Sequence, residues 1–226
     1  MSKEIEFKFA VDEEAAFDAL IRKLDLPARE FHTRVTQVNH FFDTGELALH
    51  AAGLVLRLRE EAGVYFLTLK GKEQRRSDDG VVTERIEEEV RLAPQVAVDV
   101  LRGTLSPRDA LQQRIQERNP DALRLLDETL ANHELHYVGQ FENQRTKLQP
   151  VPFTIGPQEV ALVFELDRTR FGEERVDHEI EVEIATDVDA GLAHETLSEL
   201  LASAGITWRS APSKAKRFFE LARRDT

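Results

Sequence analysis

Charged and apolar residues alternate along this chain in segment after segment, and the charges in each segment fall on one face. Glu4-Ile5-Glu6-Phe7-Lys8-Phe9 alternates without a break. A period of two is that of a β-strand, whose successive side chains leave opposite faces. Arg57 and Arg59 alternate with Leu56 and Leu58, and Thr68 and Lys70 with Leu67 and Leu69. Glu179, Glu181 and Glu183 alternate with Ile180, Val182 and Ile184. Arg85, Glu87 and Glu89 share a face too, although Glu88 interrupts the apolar side.

Eight such segments are expected as strands: Glu4–Phe9, Thr33–Asp43, Leu54–Glu60, Val64–Lys70, Val81–Leu92, Tyr137–Leu148, Glu159–Asp167 and Val176–Ile184. A helix is expected from Asp12, as its cap, to Leu24, because Phe17, Leu20, Ile21 and Leu24 form one stripe. Residues 94–136 change to a helical pattern and read as an insertion, with His133 and His136 sharing a helix. A further helix is expected over Val188–Ala204, packing Leu192, Leu197, Leu200 and Leu201 and stopped by Gly205, and a last one begins at Ser213 as N-cap. Ser77-Asp78-Asp79-Gly80 reads as a hairpin tip. The expected fold is a single α+β domain over 1–226, an eight-stranded antiparallel barrel surrounded by helices; eight strands suffice to close one.

The charged faces have two possible destinations. A single antiparallel sheet often shows a polar face to water. Here the pattern recurs on strand after strand, and helices with apolar stripes need the apolar faces to pack on. Closing the sheet with its apolar face outward puts the charges inside. Such an interior is wet, ion-paired or filled by ligand, because isolated buried charges are too costly.

The residue types then narrow the ligand. With no cysteine in the chain, a metal must be held by oxygen or histidine, and carboxylates favour Mg2+ or Mn2+. Arginine and lysine pairs favour a polyanion of phosphate geometry. Neighbours at i and i+2 lie about 6.6 Å apart, close enough to bracket one metal–phosphate assembly. The formal net charge of −12 argues against nucleic acid and anionic membranes as partners. No apolar signal stretch opens the chain and no run is long enough to span a bilayer, so the expected location is cytoplasmic. No GxxxxGK[ST] loop is present. Trp208 reads as packing.

The motifs now resemble a known family. Glu4-Ile5-Glu6-Phe7-Lys8 is similar to the ExExK signature of the CYTH superfamily, the triphosphate tunnel metalloenzymes. His40-Phe41-Phe42-Asp43-Thr44 resembles its "YFDT" segment, with Phe41 in place of tyrosine. Gly53–Arg59 resembles its paired-arginine strand, Leu67–Gly71 its lysine strand, and Arg85–Glu89 its RxExE strand. Arg145, Asp167 and Glu179–Glu183 match later tunnel strands, and Ser213-Lys214-Ala215 its terminal helix start.

The resemblance implies metal binding by Glu4, Glu6, Asp167, Glu179 and Glu181, with Glu87 and Glu89 serving a second metal or orienting basic residues. It implies phosphate binding by Lys8, Arg57, Arg59, Lys70, Arg145 and Lys214, and catalysis centred on Glu4, Glu6 and Lys8. These seven acids and six bases leave a net −1; two divalent cations and a triphosphate, with about four to five negative charges, bring the site near neutrality. The implied activity is divalent-metal-dependent hydrolysis of a triphosphate, inorganic triphosphate first, by a monomer or homodimer acting on a small molecule. Thiamine triphosphatase, nucleoside triphosphatase, class IV-type adenylate cyclase and a noncatalytic polyphosphate or nucleotide binder are the alternatives.

Overall fold

The computed structural model describes residues 2–27, 32–71, 74–75, 82–115, 120–173, 175–210 and 212–223, with the side chains at 2–4, 74–75, 82–87, 115 and 120 outside the description. In chain order its elements are β1 (Ser2–Val11), α1 (Ala15–Lys23), β2 (Thr33–Asp43), α2 (Ala48–Ala51), β3 (Val55–Glu61), β4 (Val64–Lys70), β5 (Gln74–Arg75) and β6 (Val82–Leu92). Three helices follow, α3 (Pro94–Leu101), α4 (Pro107–Ile115) and α5 (Pro120–Leu130). The chain then returns to strands β7 (His136–Lys147), β8 (Val151–Ile155), β9 (Gln158–Leu162), β10 (Phe164–Phe171) and β11 (Arg175–Ile184), and ends in α6 (Ala190–Ser203) and α7 (Lys214–Ala222).

Eight antiparallel strands run in the order β1-β11-β10-β7-β2-β3-β4-β6, and β6 pairs back with β1 through Ser2–Phe7 against Val82–Glu87. Each of the eight therefore has two neighbours, which leaves no open edge among them. The apolar faces point outward under helices. Phe7, Phe9, Ile180, Val182 and Leu166 pack with Phe17 and Leu20 of α1 and Leu197 and Leu201 of α6. On the opposite wall Leu56, Leu58, Leu67 and Leu69 pack with Leu49, Leu111 and Leu126. The inserted helices thus cover β3, β4 and β6. Each such side chain contributes about 1.5–3 kcal/mol by its burial, so the coat of helices is what makes an inside-out barrel stable.

One end of the barrel is apolar inside as well. Phe41, Phe141 and Phe171 meet Phe218 and Phe219 of α7, with Phe41 and Phe218 stacked at 4.7 Å. The seat for Phe218 is made by a bulge, where Phe41 pairs with Gly139 but Phe42 with Tyr137. Gly139 has φ +145°, and a Cβ there would lie 3.1 Å from Phe218 Cζ.

Several expectations are corrected. Asp12 does not cap α1: the helix begins at Ala15 after Glu14, with no side-chain cap, and Asp12 faces Arg209 at 3.7 Å. The segment Glu159–Asp167 is two strands, because β9 leaves the barrel to form a separate hairpin with β8 that lies against the α6 side of the core. Continuous apolar alternation hid that break. His133 and His136 share no helix; α5 stops at Leu130, Ala131 and Asn132 take positive φ (46° and 72°), and His136 opens β7. Leu192 of α6 is exposed rather than packed into the core. Ser213 does cap α7, its side chain accepting from the Lys216 amide, and Gly205 follows α6 with φ +72°. The hairpin tip Ser77–Gly80 lies outside the described residues.

Gly139→Ala combines a backbone conformation reserved for glycine with an approach too close to Phe218. It should lower unfolding stability by about 1–3 kcal/mol, measured by urea denaturation against wild type, with the loss reduced when Phe218→Leu is added.

Candidate functional site

The barrel encloses a cavity of about 390 Å3 lined almost wholly by the inward positions of its strands. Glu6 and Lys8 of β1, Arg57, Arg59 and Glu61 of β3, and Lys70 of β4 face it. So do Glu89 of β6, Arg145 and Lys147 of β7, Glu165 of β10, and Glu181 and Glu183 of β11; Ser213, Lys214 and Ala215 enter from the start of α7. The period of two therefore did put one set of charges inside. The side chains of Glu4 and Glu87, both expected in the site, lie outside the described residues.

Two walls differ in how tightly their charges are held. On the wall of β7, β10 and β11, carboxylates stand directly opposite one another in register: Glu165 with Glu181 and Asp167 with Glu179. Like charges so placed repel, and cations are wedged between them. Arg145 donates through Nε to Asp167 Oδ1 at 2.8 Å and through Nη2 to Asp167 Oδ2 and Glu181 Oε2, each at 2.6 Å, and its Nη1 contacts Glu165. Lys214 Nζ lies 2.5 Å from Glu181 Oε1, 2.7 Å from Glu179 Oε2 and 2.9 Å from Asp167 Oδ2. One turn along α7, Arg217 reaches Asp177 at 2.5 Å and Glu179 at 2.7 Å, with its guanidinium 5.4 Å from the Phe171 ring centre. Lys8 pairs with Glu6 at 2.8 Å.

On the wall of β3 and β6 the contacts among the described side chains are longer. Arg59 is 3.2 Å from Glu89 and 3.9 Å from Glu61, and Arg57 is 4.0 Å from Glu89. Thr68 donates to Glu89 at 3.0 Å. Between the walls runs a neutral chain of hydrogen bonds: Thr169 donates to Asn143 (2.9 Å), Asn143 to Gln37 (3.1 Å) and Gln37 to Glu61 (2.8 Å).

Burial and charge act against each other here, and charge wins. Burial alone would raise the Glu181 carboxyl, but Lys214, Arg145 and Lys8 hold it well below the usual carboxylate range. Burial would lower the Lys214 ammonium, but Asp167, Glu179 and Glu181 push it above the usual lysine range. Both stay charged.

A CYTH domain matches residues 2–219. The chain belongs to the CYTH family. Among solved structures, a candidate adenylyl cyclase from Hippeastrum whose dominant activity is that of a triphosphatase is 26% identical, with TM-score 0.73 over 96% of this chain and 95% of that one. A candidate adenylate cyclase from Bacillus halodurans is 24% identical, with TM-score 0.64 over 97% and 100%. A protein from Pyrococcus horikoshii is 17% identical, with TM-score 0.51 over 96% and 99%. The last two show the fold alone. No curated protein matches. Among the described residues no helix is long and apolar enough to cross a membrane.

CYTH membership implies a divalent metal, and the lumen can be tested for one. Its acidic donors are all carboxylate oxygens, the hard ligands that Mg2+ and Mn2+ prefer. Among the described residues no three acidic or histidine side chains form an open coordination sphere. The three carboxylates that do converge, Asp167, Glu179 and Glu181, are gathered round Lys214 Nζ. The donor chemistry fits, and a lysine now holds it.

Some lumen residues are absent from the family-like motifs. Gln37, Asn143 and Thr169 are uncharged, and only their inward register on strands already recognised could have found them. Glu61 continues the Arg57–Arg59 face by one more step of two. Arg217 follows Lys216 on a basic stretch of α7, yet it is only 5% exposed. Asp43 of the "YFDT" segment is structural: its buried carboxylate accepts from the amides of Thr44, Leu49 and His50 at 2.7–2.9 Å, which fixes α2.

Because the folded carboxyl of Glu181 lies below its unfolded value of 4.5, its stabilising effect is complete above that pH and is lost as pH falls toward the folded value. The melting temperature of wild type should therefore drop steeply between about pH 5 and pH 3. Glu181→Gln should flatten that slope while lowering the melting temperature at neutral pH; equal slopes would show that Glu181 is not held in this way.

Proposed function

We propose that this CYTH protein hydrolyses the terminal phosphoanhydride of a triphosphate with a divalent metal, and that inorganic triphosphate is the preferred substrate. The observation that carries the reading is the convergence of seven cationic side chains, Lys8, Arg57, Arg59, Lys70, Arg145, Lys147 and Lys214, on one cavity that six glutamates also line. A cavity so lined selects a polyanion, and bidentate guanidinium forks match phosphate oxygens. The activity described for the Hippeastrum relative is in keeping with this.

Size and surface favour the small substrate. At about 390 Å3 the cavity is near the lower end for ligand sites, about 300–1,000 Å3. A nucleoside would also need a stacking face. Phe41 and Phe141 border the cavity, but their faces are taken by Phe218 and Phe219.

Arg57 and Arg59, 4.0 and 3.2 Å from Glu89, also border the cavity, where their guanidinium groups can meet phosphate oxygens. Lys8 and Arg145 add fixed positive charge where the transferring group develops charge, the main contribution a protein makes to phosphoryl transfer. A divalent ion held by Glu6, Asp167, Glu179 and Glu181, together with Glu4, would neutralise phosphate charge and acidify a water. Glu89 orients the arginines, with Glu87 assigned a second-metal or orienting role by family resemblance.

The test is turnover with Mg2+ or Mn2+ on inorganic triphosphate, thiamine triphosphate and ATP side by side. Inorganic triphosphate should give one phosphate and one diphosphate per turnover at the highest kcat/KM. Glu6→Gln should reduce kcat by about 100-fold or more while still melting cooperatively in chelator, at a lower temperature because buried Lys8 loses its partner. Tight anion binding without phosphate release under either metal would make the protein a binder, and cyclic AMP from ATP would make it a cyclase; each defeats the proposal.

A further inference from the structure

The carboxylate cage around Lys214 is built more for a sphere than for an ammonium. An ammonium has three directed donors, yet only the contact to Glu181 is aligned as a hydrogen bond. Glu179 is 1% exposed, and neither of its oxygens accepts an aligned hydrogen bond, although Lys214 and Arg217 each stand 2.7 Å away. A buried carboxylate that is neutralised by ion pairs without aligned hydrogen bonds is an exception, and an ion site is one explanation for it. The three nearest oxygens stand 2.5–2.9 Å from Nζ; Mg2+ requires about 2.0–2.1 Å in octahedral geometry, which three carboxylate oxygens and retained waters can supply. The cage needs only a small contraction to accept it.

Its surroundings also separate what is fixed from what can move. Asp167 is held by two aligned bonds from Arg145, and α7 is held by Arg217 on Asp177 and Glu179 and by Phe218 and Phe219 in the aromatic cluster. Lys214 is the first residue of α7, and both its neighbours, Ser213 and Ala215, border the cavity. Its flexible stem can swing while helix and carboxylates stay in place.

We propose that Lys214 is a built-in counter-cation: its ammonium holds the Asp167–Glu179–Glu181 cage until a divalent ion takes its place, and the displaced ammonium then turns to the phosphates. The proposal rests on the metal–triphosphate reading above. It makes metal and triphosphate binding mutually reinforcing, since the ion releases a cation that needs an anion and the anion draws that cation from the cage.

The experiment is Mn2+ titration followed by electron paramagnetic resonance, without any phosphate, on wild type, Lys214→Met, Lys214→Arg and Lys147→Met, with melting temperatures in chelator and in Mn2+. Lys147 borders the same cavity and pairs with Glu165 at 3.3 Å, so its substitution removes equal charge without emptying the cage. Lys214→Met should bind Mn2+ at least about tenfold more tightly than wild type, melt lower in chelator and gain more from Mn2+. Lys214→Arg should bind no more tightly than wild type, and Lys147→Met should change by less than about threefold. A Lys214→Met protein that folds only with Mn2+ also supports the exchange. One that binds Mn2+ no better than Lys147→Met, or folds under neither condition, overturns it. The earlier reading fails separately: wild type that turns over no triphosphate, alongside the tenfold gain in Lys214→Met, sinks the hydrolase and leaves the exchange standing.

Discussion

The structure turns on the charge network along the inward face of β11. Asp177, Glu179 and Glu181 follow one another at steps of two, all facing inward, with Glu165 and Asp167 opposite the last two. Asp167 has no exposed surface and Glu179 almost none. Removing a single partner from a buried ion pair costs about 3–5 kcal/mol, and here one cation serves several acids. Arg145 answers three carboxylates and Lys214 another overlapping three. The barrel wall is therefore incomplete without α7, which supplies two of the cations. A helix more than thirty residues downstream of the nearest contact on β11 is part of the site's electrostatics and not only of its packing.

The lumen is polarised as a result. Arg145 and Lys214 hold Asp167, Glu179 and Glu181 with contacts of 2.5–2.9 Å, whereas the arginines of β3 stand 3.2–4.0 Å from Glu89 and Glu61. Tight pairs are costlier to reorganise than long ones. The Thr169–Asn143–Gln37–Glu61 chain joins the two walls. Neutral amides there keep β2 and β7 in register without adding a charge that a ligand would have to displace.

Much of this is legible in the sequence, because alternation at period two is a direct consequence of strand geometry and survives without any tertiary information. Seven of the eight barrel strands and the caps Ser213 and Gly205 follow from local pattern, whereas β10 is merged there with β9. What local pattern lacks is destination. β9 alternates as β10 does, yet it pairs with β8 and packs on α6. Arg217 and Lys216 are neighbours of like charge, and only the pitch of α7 against β11 sends one inward. The neutral residues Gln37, Asn143 and Thr169 carry no chemical flag; their roles come from which strand each faces. Family resemblance supplied the candidate ligands, but it did not reveal that Asp167, Glu179 and Glu181 are gathered on a lysine.

How Lys214 comes to stand among those carboxylates can be traced to an uncharged position. The extra residue between Phe41 and Phe42's partners on β7 leaves Gly139 at a positive φ with no Cβ. Phe218 fills that space, stacks on Phe41 and meets Phe219, and so fixes the depth and rotation of α7 at the aromatic end of the barrel. Lys214 lies four residues before Phe218, one helical turn back along the same side. The apolar contact thus delivers the ammonium to the start of the charged layer, where Asp167, Glu179 and Glu181 receive it. Repulsion among three acids sets the demand for a cation, but a missing methyl group decides which cation can answer it.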